Sequence, residues 1–247
     1  MAAAAILPNL TKVKTFGNIE NRSFWTEYPS GLIDLTRNHP PTSVVTTGSE
    51  PSKEGNELEF EVDGDRRVRV DPKQSAIVIV DMQKNWGLTP RELTTLPPVL
   101  VRSFTKLGEG GFGCDLGGNW GPALMRGTPN ADLYGPLKDE WLKGKEAGTD
   151  IWFHKNRVGG LWGPGTPLGL YLREEGLNTL FFAGVNTDQC VLGTLVDAYF
   201  NGYDSILIKD ATATTSPDHG YDGALYNTEL LYGFVTDSQK IITGAAR

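Results

Sequence analysis

Three residues of this chain are of types that could do chemistry together, an acid, a base and a thiol: Asp81, Lys155 and Cys190. Each stands at or just past the end of an apolar run. Asp81 closes "SAIVIVD", Lys155 closes "DIWFHK", and Cys190 follows "NTLFFAGV" through "NTDQ". Of the three, the thiol is the candidate nucleophile, since a thiolate is the reactive form of cysteine. Taken singly, each has a structural explanation. A carboxylate after a strand caps or anchors a loop, and a lysine at a strand end is solvated. A free cysteine beside apolar residues is a small core residue. His154 precedes Lys155, and neighbouring strand residues face opposite ways, so the two do not serve one pocket. Thr187 and Asp188 are candidate N-caps for a helix after Cys190. That would put the thiol in a first helical turn, where unpaired N–H groups favour a thiolate and can hold an oxyanion. The other cysteine, Cys114 in "GFGCDLGG", has no nearby partner and reads as structural.

The elements that must position these residues follow from the pattern. Ala76 to Val80 is a continuous, mostly β-branched run, which suits a strand buried on both faces of a parallel sheet. Similar runs follow at 150–155, 178–185 and 205–211, with a weaker one at 239–243. Helical patterns lie between them, at 130–148, 166–176, 191–202 and 221–234. Strand alternating with helix predicts an α/β class, a three-layer doubly wound and mostly parallel sheet. In such sheets the site forms beyond the carboxyl ends of the strands, which is where the three residues stand.

Bulk properties narrow the rest. The 247 residues are 39% hydrophobic, with 30 glycines and 15 prolines, which suits a globular core with long loops. A net charge of −7, with no run of five basic residues, argues against nucleic-acid or anionic-membrane partners. "MAAAAILPNLTK" is too short to span a bilayer and lacks the basic start of a signal peptide. Two cysteines make no disulfide scaffold, and a reducing, cytoplasmic compartment fits. Residues 1–70 are polar and turn-rich and read as an N-terminal extension. Within and just past it, "ELEFEV" (57–62) and "RRVRVD" (66–71) form a hairpin with one half-exposed face, outside the core. Residues 71–247 read as the main domain.

Three segments carry a resemblance: "AIVIVDMQ", "HKNRVGGLWG" and "FAGVNTDQCVLGTLVDAYFNGYDSILIKDATATTSP". Over roughly Ser75 to Pro217 the chain resembles the isochorismatase-like family of cysteine hydrolases. The third segment is the specific one, with Gly-Val-x-Thr-x-x-Cys-Val followed by Asp-Ala, Gly-Tyr and Asp-Ala. The resemblance implies an Asp81-Lys155-Cys190 triad, with Asp81 as general acid/base, Lys155 stabilising charge and Cys190 attacking a carbonyl carbon. It implies a cis peptide at Val185–Asn186 and an oxyanion hole from the N–H groups of Asn186 and Cys190. Gln83 and Thr187 match positions that support the loops. The implied reaction is hydrolysis of a C–N bond in a small amide or carbamoyl substrate, through a thioester and without a cofactor. Some members bind a metal through Asp-x-His and a further histidine. His39, His154 and His219 match no such pattern, so no metal is expected. A homo-oligomer, dimer or tetramer, is expected.

The chain departs from the family after Asp81. Between Lys84 and Leu96 no amphipathic helix or buried strand is evident, and "PVLVRSF" (98–104) is a weak substitute. The fold reads as short of one αβ unit there. The substrate-binding candidates are Gln83, Trp162 as an aromatic wall, and Arg126 or Arg157 as readers of an anionic group. Two other functions stay open: vinyl-ether hydrolysis of the isochorismatase type, and an impaired family member serving as an interaction module.

Overall fold

The computed structural model describes residues 10–20, 22–39, 49–83, 124, 126–128, 131–155 and 157–246. The segment from Lys84 to Leu96, "PVLVRSF", Cys114 and most of the Gly-rich stretch before Ala131 lie outside the described residues, and with them the expected shortening after Asp81.

Two sheets form. The first joins β1 (Lys14–Asn18), β2 (Ser23–Glu27), β3 (Leu32–Asp34), β4 (Leu58–Val62) and β5 (Arg66–Val70) in the order β1-β2-β3-β5-β4. The predicted hairpin is its β4–β5 pair, antiparallel with Phe60 opposite Val68. The second sheet is parallel, in the order β6 (Ser75–Val80), β7 (Thr179–Val185), β8 (Asp204–Ala213) and β9 (Phe234–Thr236). The helices are α1 (Leu137–Ala147), α2 (Pro167–Glu174), α3 (Leu192–Phe200), α4 (Asp218–Asn227) and α5 (Ser238–Ala245). This is the α/β class with a parallel sheet that the pattern predicts.

Strand alternation divides the core. On β7, Leu180 and Phe182 point to one face and pack with Leu172 of α2 and Leu195 and Ala198 of α3. Phe181 points to the other face, as do Ile206 and Ile208 of β8. There they meet Ile33, Phe60, Val62, Val68 and Val70 of the first sheet, and Ile241 of α5. The hairpin expected to stand outside the core is therefore part of it. Alternation with a polar partner signals one buried face and does not say what covers it. An ion-pair knot reinforces this docking: Asp63, at the β4–β5 turn, accepts from Lys209 of β8 at 2.7 Å and from Lys240 of α5 at 2.9 Å.

Three further expectations are corrected. Residues 150–155 form no strand. Their rings pack instead, Trp152 edge-on to Trp141 and Phe153 tilted on Tyr171, while Ile151 stays half-exposed. "QKIIT" (239–243) lies in helix α5, because the Asp237 side chain accepts from Lys240 N–H and caps it. Finally, β6 is not buried on both faces. It is the edge of the described sheet, and Ile77 and Ile79 are 66% and 56% exposed.

Candidate active site

Asp81 leaves the end of β6 with φ +52°. That left-handed turn is uncommon for a residue with a side chain and takes its carboxylate off the line of the strand. The neighbouring strand is shaped to allow the approach. Gly184 pairs with Val80, has φ +111°, and could not carry a β-carbon, which would lie 2.0 Å from the Val80 carbonyl oxygen. The Val185–Asn186 peptide that follows is cis, as expected.

Cys190 sits in a π-helical turn, Thr187–Val191, that leads into α3. Neither expected N-cap acts as one. Asn186 holds the cap position with no side-chain capping bond, and Thr187 Oγ1 is buried without a hydrogen-bond partner. Asp188 instead accepts from Thr214 Oγ1 at 2.5 Å, and Gln189 donates to Ser216 Oγ at 3.1 Å. These bonds tie the cysteine turn to the segment after β8.

Lys155, without a strand to hold it, is placed by its own ammonium. Nζ lies 2.8 Å from Asp81 Oδ2 and donates to the carbonyls of Arg157 and Val158 at 3.1 and 3.0 Å. It also lies 3.6 Å from Cys190 Sγ. The lysine and aspartate side chains are 13% and 19% exposed, so the pair is screened from most of the solvent. Asp81, Lys155 and Cys190 are thus brought together from three segments.

The electrostatics correct one expectation. A helix-start cysteine should have a depressed pKa, but Cys190 is pushed up to about 12. Burial is the largest cause. The Asp81 carboxylate adds to it, as nearby charge and as hydrogen-bond acceptor, and Lys155 offsets only part. The resting side chain is a neutral thiol against a compensated ion pair.

The remaining candidates are more scattered. Gln83 lies two residues past Asp81, bridges to Leu133 through its backbone, and has Oε1 buried without a hydrogen-bond partner. Asn186 opens the cysteine turn. Trp162 is 37% exposed on the loop before α2. Arg157 joins the site through its carbonyl, with its side chain exposed. Arg126 is exposed and acts on His154, whose pKa is lowered by burial and by that guanidinium. No contact places Arg126 on the triad. A groove of about 320 Å³ between β4 and α5, lined by Lys53, Glu59, Arg67 and Lys240, includes none of the three residues.

Sequence reasoning missed Gly184, Gly159 and Thr194. Gly159 packs so closely on α3 that a β-carbon would meet Asp197 Oδ2 at 2.4 Å. Thr194 accepts from Gly160 N–H and donates to the Cys190 carbonyl. The signal for it was its position, four residues past Cys190 on one helical face. Among the described residues, no group of three or more His, Cys, Asp or Glu is placed to hold a metal ion, and no helix is long and apolar enough to cross a membrane.

Comparison with known proteins agrees with this architecture. A nicotinamidase/pyrazinamidase from Bacillus subtilis aligns with a TM-score of 0.50 at 24% identity, over 66% of this chain and 100% of that one. An isochorismatase family protein from Desulfovibrio vulgaris aligns with a TM-score of 0.51 at 21% identity, over 70% and 99%. These two establish the fold. Another Bacillus subtilis nicotinamidase structure aligns at 34% identity with a TM-score of 0.44, over 47% of this chain and 63% of that one. The isochorismatase domain model matches residues 75–240, about two-thirds of the sequence and the whole of the parallel sheet and its site. The chain belongs to the isochorismatase family of hydrolases.

Proposed function

We propose that this hydrolase is a metal-independent cysteine amidohydrolase, cleaving the C–N bond of a small amide or carbamoyl compound through a thioester. One observation carries the reading. Lys155 Nζ lies 2.8 Å from Asp81 Oδ2 and 3.6 Å from Cys190 Sγ, so one ammonium joins the carboxylate to the thiol. A carboxylate, an ammonium and a thiol gathered at one point are the parts needed for acyl transfer.

The steps follow from the charges. Because the thiol rests neutral, attack and deprotonation occur together. Asp81 accepts the S–H proton while sulfur forms its bond to the carbonyl carbon. Lys155, in contact with both groups, balances the charge on sulfur. The N–H groups of Asn186 and Cys190 receive the developing oxyanion, a contribution of about 3 kcal/mol for one well-placed donor. The C–N bond breaks as Asp81 passes its proton to the departing nitrogen. A water then gives a proton to Asp81 and adds to the thioester. The C–S bond breaks, and the sulfur recovers its proton. Gln83 and Trp162 line the approach, and Arg157 or Arg126 meets an anionic group on the substrate.

The test is an ammonia-release screen over nicotinamide, carbamoyl amino acids, ureidoacrylate and biuret. Turnover of at least one amide or ureido compound, abolished in Cys190→Ala, is the expected result. Turnover that persists in Cys190→Ala would remove the thiol from the mechanism.

A further inference from the structure

The lysine loop and the cysteine turn are 35 residues apart in sequence and share no secondary structure, yet the site depends on the distance between them. Thr194, in the first turn of α3, spans that gap. It is 1% exposed. Its Oγ1 accepts from Gly160 N–H at 2.9 Å and donates to the Cys190 carbonyl at 2.7 Å. A hydroxyl has one hydrogen, and the Gly160 nitrogen can only donate, so these directions are fixed. A threonine bonding back four residues is ordinary within a helix. The second bond, from a different segment, is not.

These contacts close a ring. Lys155 Nζ contacts Cys190 Sγ and donates to the carbonyl of Val158. Two residues on, Gly160 donates to Thr194, and Thr194 donates back to Cys190. The loop can come so near only because Gly159 faces α3, where a β-carbon would lie 3.2 Å from the Gly193 carbonyl oxygen as well as against Asp197. We propose that Thr194 is a positioning residue whose hydroxyl fixes the Lys155 loop on the Cys190 turn and so holds the lysine ammonium beside the sulfur. The inference rests on the proposed cysteine chemistry only in giving that contact a purpose.

The test reads the thiol directly. In a Cys114→Ser background Cys190 is the one remaining cysteine, and its alkylation by iodoacetamide is followed against pH. Thr194→Val keeps the shape but breaks both bonds. It should move the profile to higher pH, slowing alkylation about tenfold at a fixed pH for each unit of displacement, and Lys155→Met should move it the same way. Thr194→Ser restores the hydroxyl and should restore the profile. A Thr194→Val profile that matches the parent, or a Thr194→Ser profile displaced as far as that of Thr194→Val, overturns the proposal. A second measurement needs no variant. The Gly160 amide in the unaltered chain should exchange about a hundredfold more slowly than an open loop amide. Exchange at the open rate also overturns it. Neither measurement requires turnover, so a chain that releases no ammonia would refute the amidohydrolase reading and leave this one standing.

Discussion

Gly184 and Val80 meet backbone to backbone across the β6–β7 pair, and the contact leaves no room for a side chain: a β-carbon on Gly184 would lie 2.0 Å from the Val80 carbonyl oxygen and 2.6 Å from its nitrogen. Val80 is the residue before Asp81, and Gly184 is two before Asn186. The contact therefore sets how close the acid comes to the cysteine turn.

Gly184→Ala should be severely disruptive. The change imposes both a backbone clash and a side chain at φ +111°. Together these should cost at least about 3 kcal/mol. Urea unfolding of the variant against the parent checks this. A loss under about 1 kcal/mol would mean that the two strands can separate there without penalty.

The raised thiol pKa makes a prediction about pH. With Cys190 at about 12, its alkylation rate should keep climbing through pH 9 and 10. An exposed cysteine levels off near its own pKa, about 8.5. Asp81→Asn removes the neighbouring negative charge that raises the value and leaves Lys155 in place, so its profile should move to lower pH. The same variant lacks the proton acceptor and should lose about 10²- to 10⁴-fold in turnover. Faster alkylation with slower turnover is the signature. A parent profile that levels off below pH 9 would contradict the buried, neutral thiol.

The N-terminal sheet should be needed for folding. Phe181, Ile206 and Ile208 are buried against Phe60, Val62, Val68 and Val70. A chain of residues 71–247 exposes that face of the parallel sheet. It should lose cooperative melting and associate, since each large side chain uncovered forfeits about 1.5–3 kcal/mol of burial. Light scattering with a thermal melt checks this. A monodisperse, cooperatively melting fragment would show that the two sheets are independent.

Asp63 is the ionic counterpart of that interface. Burial opposes its charge, but Lys209 and Lys240 hold its carboxyl below the usual value. A depressed acid stabilises the fold above its unfolded pKa near 3.8, and that contribution is lost as pH falls further. The carboxyl is only partly buried, so solvent screens the pair, and Asp63→Asn should cost only about 1 kcal/mol at neutral pH. The difference from the parent should shrink as pH falls below 3.8 and through the lowered folded value. A difference that stays constant as the pH falls would show that the ion pairs are not its source.

Sequence alone brought the triad residues to one sheet edge because their signals are local: an apolar run, then a polar residue at its end. Asp81 and Cys190 were legible this way, and so was the cis peptide, through the resemblance of the third segment. Lys155 comes beside Asp81 and Cys190, but not from the end of a strand. Its segment is rich in β-formers, but tertiary packing spends those rings on Trp141 and Tyr171 instead of on a strand. "QKIIT" misled similarly, since two isoleucines outweighed the capping aspartate just before them. The thiol departs from the helix-start expectation because burial and the Asp81 carboxylate outweigh the pull of the helix end. Thr194 and Gly184 act between segments: their places relative to Cys190 are legible in the sequence, but the partners they meet, Gly160 and Val80, are not.

The central claim is that Cys190 is the nucleophile. Once a turned-over amide is found, the direct measurement is its ammonia release by Cys190→Ser beside the parent, with cooperative melting of both confirmed. A hydroxyl in this site is far less acidic and less nucleophilic than the thiol. Cys190→Ser should therefore fold normally and lose at least about 10³-fold in turnover. A folded Cys190→Ser protein that releases ammonia within about tenfold of the parent rate would contradict the account.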